Sequence, residues 1–401
     1  MENPKIRPIE AFPVKSGDHQ MFAVRDPAQI SNSMAVLSPA ALFILSLCDG
    51  ENTKKDIQAA FTRQFGTLLL STELEQLLNQ LDEMHLLESE EFARFKQDLE
   101  DRFHRAETRP AFHAGKSYPS VEEEVRKQFE DQFKDGRVQS RHEMLRAIIA
   151  PHIDIRRGMR SFAAAYRALS ENPADLFIVL GISHQPSRNP FVLTRKNFET
   201  PLGICPTNQE FVNALAAKIS FDPFEDEIVH RTEHSIEFQA LFLKYVMGKR
   251  PFTVVPVLCG SFHEAVAAGK APVQIPSVQS FLTALRETAS GFRGAVCFIA
   301  GVDLAHVGGR FGDKETITPA VLDQIEKEDK EMLEAAARGA AGSFHEAVAN
   351  DQDRRRICGY PGIYSLLYCL APTRGYLLTY EQSLEPDTNS VVTFAGMSFS
   401  D

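Results

Sequence analysis

A chain of 401 residues has room for two or three domains and a large core, and its 43% hydrophobic content is ordinary for a globular protein. A formal charge of -11 opposes broad binding to nucleic acid or to an anionic membrane, since both require a basic surface. The residues after Met1 lack a signal-peptide core, no apolar run approaches the roughly 18 residues of a membrane span, and the six cysteines lack paired spacing, so a soluble, cytoplasmic chain with reduced thiols is expected.

The first 90 residues read as a small separate domain. Strand-like Met21 to Val24 and Met34 to Leu37 precede Ser38-Pro39, an N-cap followed by a first-turn proline. An apolar helix from Ala40 to Cys48 stops at Asp49-Gly50, and a second, from Asn52 or Thr53 to Phe65, stops at Gly66. In the third, Thr72 and Glu75 have capping-box spacing, and Leu74, Leu77, Leu78, Leu81 and Met84 form one apolar stripe. The segments "LSPAALFILSLCDGENTKKDIQAAF" and "LEQLLNQLDEMHLL" resemble the PqqD-like peptide-recognition domains. That resemblance implies a winged-helix α+β module over residues 1–90, binding a peptide by strand addition. A module that only docks on its own catalytic domain fits the same pattern. The acidic third helix speaks against DNA binding.

Residues 91–110 read as a charged linker helix, because Phe92, Phe95, Leu99 and Phe103 recur at helical spacing within a charged stretch. From residue 111 to 401, strand and helix signals alternate. Strands are expected at Leu145 to Ala150, Leu176 to Gly181, Phe252 to Leu258, Val296 to Ala300, Tyr376 to Tyr380 and Val391 to Ala395. Between them, helical patterns run over Arg157 to Leu169, Gln209 to Ile219, Thr232 to Met247, Val278 to Thr288, Pro319 to Ala337, Gly342 to Ala349 and Pro361 to Leu370. The alternation predicts a three-layer α/β/α domain.

Three potential metal ligands stand where apolar runs meet turns: His152 after "IIAP", His184 after "IVLGIS", and Cys358, with Gly359 and Gly362 allowing close backbone approach. Ligands gather at the carboxyl ends of strands in open α/β sheets. Singly, a His at a strand end is more commonly a hydrogen-bonding residue. The recurrence carries more weight, since "FIAGVDLAHVGG" brings Asp303 and His306 to another strand end and "TEHSIE" opens a helix with Glu233, His234 and Glu237. His234 and Glu237 share a helical face, either as an exposed ion pair or as groups that orient ligands or substrate.

The segments "HAGKSY", "IIAPHI", "IVLGISHQP", "ETPLG", "TEHSIEFQ", "FTVVPVLCG", "DLAH", "RRICGYPGI" and "SVVTFAGMSF" resemble, in order, those of the Memo family, in particular the bacterial Memo-like proteins called AmmeMemoRadiSam system protein B. The resemblance spans about Ala111 to Ser398 and implies a fold similar to the class III extradiol (LigB-like) dioxygenases, with non-heme iron at an open three-ligand site. His152, His184 and Cys358 match the family's metal ligands. His306 matches the acid or base beside bound oxygen, Asp303 and the "TEHSIE" residues Glu233, His234 and Glu237 match the pocket, and His113 of "HAGKSY" lies near the site. Fe(II) is the implied cofactor, with Cu and Zn as alternatives, and AMMECR1-like and radical SAM proteins are the implied partners. "APHID", "SHQ" and "ICGYPG" depart from the family's "APHAG", "SHH" and "ICGRHP", which alters the polarity of the pocket. The leading expectation is a mononuclear iron redox enzyme or oxygenase acting on a small molecule or a peptide; the alternatives are a non-enzymatic peptide-binding adaptor or metal-binding protein, and a zinc-dependent hydrolase.

Overall fold

A computed structural model describes residues 2–16, 19–31, 33–134, 145–370 and 373–400. The chain divides into two compact units, Met1–Arg105 and Ala106–Asp401.

In the first unit β1 (Glu10–Ser16), β2 (His19–Arg25) and β3 (Met34–Leu37) form an antiparallel sheet in that order. β1 gives no clear strand signal in the sequence because Pro13 interrupts its short apolar run; pairing with β2 makes it a strand. Helices α1 (Pro39–Ser46), α2 (Lys54–Phe65), α3 (Ser71–Glu83) and α4 (Glu90–Arg105) follow. Ser38 caps α1, and Thr53 with Asp56 forms a capping box on α2. The expected Thr72–Glu75 box is corrected: α3 begins earlier, with Leu70 at the N-cap and its backbone N–H donating to Glu73 at 3.0 Å. Leu70 has no side-chain oxygen, so only the glutamate half of the motif forms. Val24, Ile44, Leu45, Ile57, Leu74, Leu78 and Leu81 make one core. The charged helix α4 belongs to this unit: the Arg7 guanidinium lies 3.9 Å from the Phe92 ring centroid, and His85 stacks on Phe95 at 3.9 Å.

The second unit runs β4 (Thr108–Arg109), α5 (Glu122–Lys134), β5 (Leu145–Ala150), α6 (Ile155–Leu169), β6 (Leu176–Ile182), β7 (Phe191–Leu193), β8 (Asn197–Phe198), α7 (Gln209–Ala216) and α8 (His234–Met247). It continues with β9 (Thr253–Cys259), α9 (His263–Ala267), α10 (Pro276–Ser290), β10 (Val296–Gly301), β11 (His306–Gly308), α11 (Pro319–Ala337), α12 (Ala341–Ala349), α13 (Tyr360–Leu370), β12 (Arg374–Glu385) and β13 (Ser390–Ser400). The main sheet has the order β11-β13-β5-β10-β6-β9-β7, with β12 paired to β13. The strands β5, β10, β6 and β9 are parallel, while β13, β12, β11 and β7 join antiparallel, so the sheet is mixed.

Period-two alternation along the strands sorts the core into two layers. Ala147, Ile149, Ile178, Leu180, Phe298 and Ala300 face a cluster with Leu285, Leu333 and Leu367 from α10, α11 and α13. Their neighbours Ile148, Ala150, Phe177, Val179 and Ile299 pack with Phe129, Phe162 and Phe242 from α5, α6 and α8. Among the described residues no helix is long and apolar enough to cross a membrane, and all six cysteines are free thiols.

Two glycines let α8 start against the sheet. A Cβ at Gly181 would lie 2.6 Å from Ser235 Oγ and Ile236 Cγ1, and one at Gly301 would lie 2.7 Å from the Ser235 carbonyl and the Gln239 side chain. That proximity lets Ser235 Oγ donate to the Ile182 carbonyl at 2.9 Å and accept from its N–H at 3.0 Å. Gly301→Val is therefore expected to destabilise the protein by about 1–3 kcal/mol through overpacking, read as a lowered urea midpoint, whereas a valine at the uncrowded Gly342 should change it by under about 1 kcal/mol.

Candidate metal pocket

The parallel strands β5, β10 and β6 are neighbours and end at one edge of the sheet. Each delivers a polar side chain two residues beyond its last strand residue: His152 after Ala150, Asp303 after Gly301 and His184 after Ile182. The fourth contribution comes from the N-terminus of α8, whose N-cap is Glu233 and whose first residue is His234.

The three imidazoles converge, with ring centroids 4.7–5.1 Å apart, and one ligand nitrogen from each lies within 4.8 Å of the others. Each ring has Nδ1 held by an oxygen. His152 Nδ1 donates to the Gly301 carbonyl at 2.9 Å, His184 Nδ1 is 3.0 Å from Glu233 Oε1, and His234 Nδ1 is 3.2 Å from the same oxygen. Such anchoring leaves Nε2 for a metal and orients the ring. Cys358 completes the group, its Sγ 3.2 Å from His152 Nε2 and 3.9 Å from His184 Nε2. A tetrahedral ion bound to one sulfur and two nitrogens at ordinary bond lengths would set those separations near about 3.6 Å, so the donors fit a metal without large rearrangement.

Cys358 reaches this position because the loop before α13 lies against β10's exit. Its N–H donates to the Leu304 carbonyl at 3.1 Å and that of Gly359 to the Asp303 carbonyl at 2.8 Å. A Cβ at Gly359 would come within 2.5 Å of that carbonyl. Asp303 accepts from the backbone N–H groups of His152 at 2.9 Å and Ile153 at 3.2 Å, with Oδ2 3.6 Å from His152 Nε2. His306 opens β11, donates from Nδ1 to the Leu304 carbonyl at 3.0 Å, and sets its ring perpendicular to Phe311.

The electrostatics follow from burial and pairing. Burial drives the proton off His152 and pushes His306 down to about 4, leaving both rings neutral with an Nε2 lone pair. Burial also opposes charge on His184, but the Glu233 carboxylate and Cys358 outweigh it and hold this imidazole well above its usual range. Glu233, despite its burial, is kept well below the usual carboxylate range by His184 and His234. Burial raises the Cys358 thiol, and raises Asp303 to about 7 against the pull of the His152 and Ile153 N–H groups.

His152, His184, His234, Asp303 and His306 line one cavity of about 580 Å³. Glu237 and His113 do not reach it. Glu237 is fully buried beneath the site, paired with Arg109 and accepting from the Tyr118 hydroxyl and, at 2.8 Å, the His113 N–H. An exposed ion pair at this helix start is thereby corrected. His113 Nε2 donates to the Thr232 carbonyl at 2.8 Å and its ring stands 5.7 Å from that of His234. Arg109 also donates to the carbonyls of His230 and Glu233, both at 2.8 Å, so the buried pair fixes the turn that presents Glu233 and His234. The sequence reading passes over Arg109, and over the pocket residues Arg157, Arg310, Phe311 and Glu385, because no local pattern marks residues that meet only across the fold.

A mixed α/β unit with imidazoles, a thiol and carboxylates converging at the carboxyl edge of its parallel strands defines a candidate metal-site protein. Residues 109–398 match the Memo-like protein family, and the chain belongs to it. It is 30% identical over 399 residues, 99% of both chains, to a MEMO1 family protein of Aquifex aeolicus. A MEMO1 family protein of Thermus thermophilus is 30% identical over 346 residues, 85% of this chain and 97% of the relative. The protein memo-1 homolog of Caenorhabditis elegans is 26% identical over 265 residues, 65% of this chain and 70% of the relative.

Arg109→Leu leaves the buried Glu237 carboxylate without its cation, and is expected to cost about 3–5 kcal/mol in urea unfolding. The double variant Arg109→Leu with Glu237→Leu should recover part of that loss, which a double-mutant cycle measures.

Proposed function

We propose that the Ala106–Asp401 unit binds one metal ion through His152, His184 and Cys358, and that with ferrous iron it serves as a redox enzyme, an oxygenase acting on a small molecule or a peptide side chain. The observation that carries this reading is the placement of both histidine Nε2 atoms around Cys358 Sγ, at 3.2 and 3.9 Å, with each ring held from behind at Nδ1. Ferrous iron, when bound, supplies the electrons and open coordination positions that oxygen activation uses. The chain's own residues do the rest. Glu233 orients His184 and His234, and Cys358 enters as thiolate, since a metal removes the proton that burial otherwise retains. His306, neutral and with Nδ1 committed to Leu304, presents Nε2 to the cavity as the group that accepts and returns a substrate proton. His234, within 4.8 Å of the His152 and His184 nitrogens, serves as a further ligand or as a hydrogen-bonding partner to a group bound there.

A second reading, a zinc-dependent hydrolase, is favoured by one feature, the thiol in place of the carboxylate of iron oxygenases. Metal identity and oxygen consumption separate the two. The resemblance also supports a wider reading, in which the Met1–Arg105 unit holds a peptide and the chain works with AMMECR1-like and radical SAM proteins. A pull-down with the full chain that recovers neither partner would remove that extension and leave the metal reading intact.

The metal reading is tested by anaerobic purification and elemental analysis: stoichiometric metal is expected in the native chain and its loss in His152→Ala and Cys358→Ala. Equal metal content in all three proteins would sink it. Glu233→Gln should weaken metal affinity by about 10- to 100-fold in a chelator competition. His306→Ala should retain the metal while oxygen consumption falls by about 100-fold or more.

A further inference from the structure

The cavity lined by the three histidines also has cationic and apolar lining. Its wall carries Arg157 of α6, Arg310 of the short turn Gly309–Phe311 and Glu385 at the end of β12, together with the apolar surface of Ile153, Phe311 and Val392. Both guanidiniums converge on the one carboxylate. Arg157 Nη1 donates to Glu385 Oε1 at 2.6 Å, and Arg310 Nη1 donates to Oε1 and Oε2 at 2.8 and 2.9 Å. The Glu385 side chain is 13% exposed, whereas Arg157 and Arg310 are 43% and 54% exposed.

The donors and acceptors on this wall set the sign of the ligand that it can take. A guanidinium has five N–H donors. Among the described residues, Arg157 and Arg310 each use only Nη1 in a side-chain hydrogen bond to protein, so Nε and Nη2 of both are available to solvent or to a ligand. The carboxylates beside them are satisfied: Glu385 accepts from both arginines, and Asp154 is gripped by the Arg156 fork at 3.0 and 2.7 Å. Spare donors, spent acceptors and an apolar wall call for an amphiphilic ligand that brings oxygens of its own. A volume of about 580 Å³ suits a small organic molecule.

We propose that the substrate pocket selects an organic oxyanion, a carboxylate or a phosphate ester, whose charged group docks on Arg157 and Arg310 while its apolar body lies on Ile153, Phe311 and Val392 and its reacting end reaches the proposed metal site at His152 and His184. This deepens the proposed function by naming the class of molecule, and rests on it only for the last clause. Glu385 has two parts: it holds the arginines in place before binding, and it competes with the incoming anion, which keeps the affinity for free inorganic anions low.

Calorimetric titration of the full chain with benzoate, phenyl phosphate and uncharged benzamide tests this, in chelator-treated and metal-loaded protein. Both anions, or one of them, should bind at least about tenfold more tightly than benzamide, the difference expected for hydrogen bonds to a charged group. The ratio between the two anions tells carboxylate from phosphate. Arg157→Gln and Arg310→Gln should each remove most of the preference, while Glu385→Gln, which keeps the shape and removes the competing charge, should increase it; the exposure of both arginines makes unfolding of these variants readily excluded by circular dichroism. No preference for an anion, or a preference unchanged in both arginine variants, overturns the proposal. An anion preference present only in the metal-loaded protein and insensitive to the arginines places the anion on the metal and likewise overturns it. An arginine-dependent preference in a protein that takes up no metal on loading would retain the anion site and reject the metal reading, so the two fail separately.

Discussion

The parallel pairing of β5, β10 and β6 sets almost everything else at the pocket. Parallel neighbours end at the same edge, and the register that pairs Ala150 with Gly301 and Ala300 with Leu180 brings the three chain exits within one residue of the same level. His152, Asp303 and His184 sit at the same step beyond those exits, so their relative positions are fixed by backbone hydrogen bonds in the sheet. Residues 152, 184 and 303 are thus neighbours for a reason that has nothing to do with their separation along the chain. The antiparallel strand β13 extends the same logic, since it pairs with β5 through Met397–Ser400 and with β11 through Ser390–Val392, carrying His306 to the same edge.

Such an edge is polar and enclosed, and polar groups removed from water must be matched. The chain matches them in tiers. Glu233 receives His184 twice, through its N–H and through Nδ1, as well as His234 and the Ser235 N–H. Beneath, Glu237 is matched by Arg109, Tyr118 and the His113 N–H, and Arg109 returns to the Glu233 carbonyl. The ring positions are therefore held from behind by hydrogen bonds, and imidazole nitrogens are left toward the cavity with the Cys358 thiol beside them, donors whose usual partner is a metal ion.

A different balance holds at the far wall. There two arginines, one from α6 and one from the turn after β11, share a single carboxylate at the end of β12. On a chain of net charge -11 this pair of cationic side chains stands against the overall sign of the protein.

Much of the α/β architecture is legible in local pattern. Leu145–Ala150 and Pro319–Ala337 coincide with their sequence-based ranges, because a short apolar run between turn signals and an amphipathic stripe opened by Thr318-Pro319 are self-contained signals. The strand β1, with Pro13 inside its apolar run, and the mostly polar helix α5 are not, since both take their form from a partner: β2 for one, Phe162 and Phe242 across the core for the other. The candidate ligands His152, His184 and Cys358 announce themselves by residue type and by their place after apolar runs. The sequence by itself determined most of the longer strands and helices and which side chains were available for chemistry, because backbone preference and hydrophobic period act over a few residues. Only the tertiary structure decided that His234 joins the other two imidazoles, that Glu237 lies beneath them with Arg109, and that Arg157 and Arg310 share Glu385, because those contacts join residues far apart in the chain and depend on strand order and register.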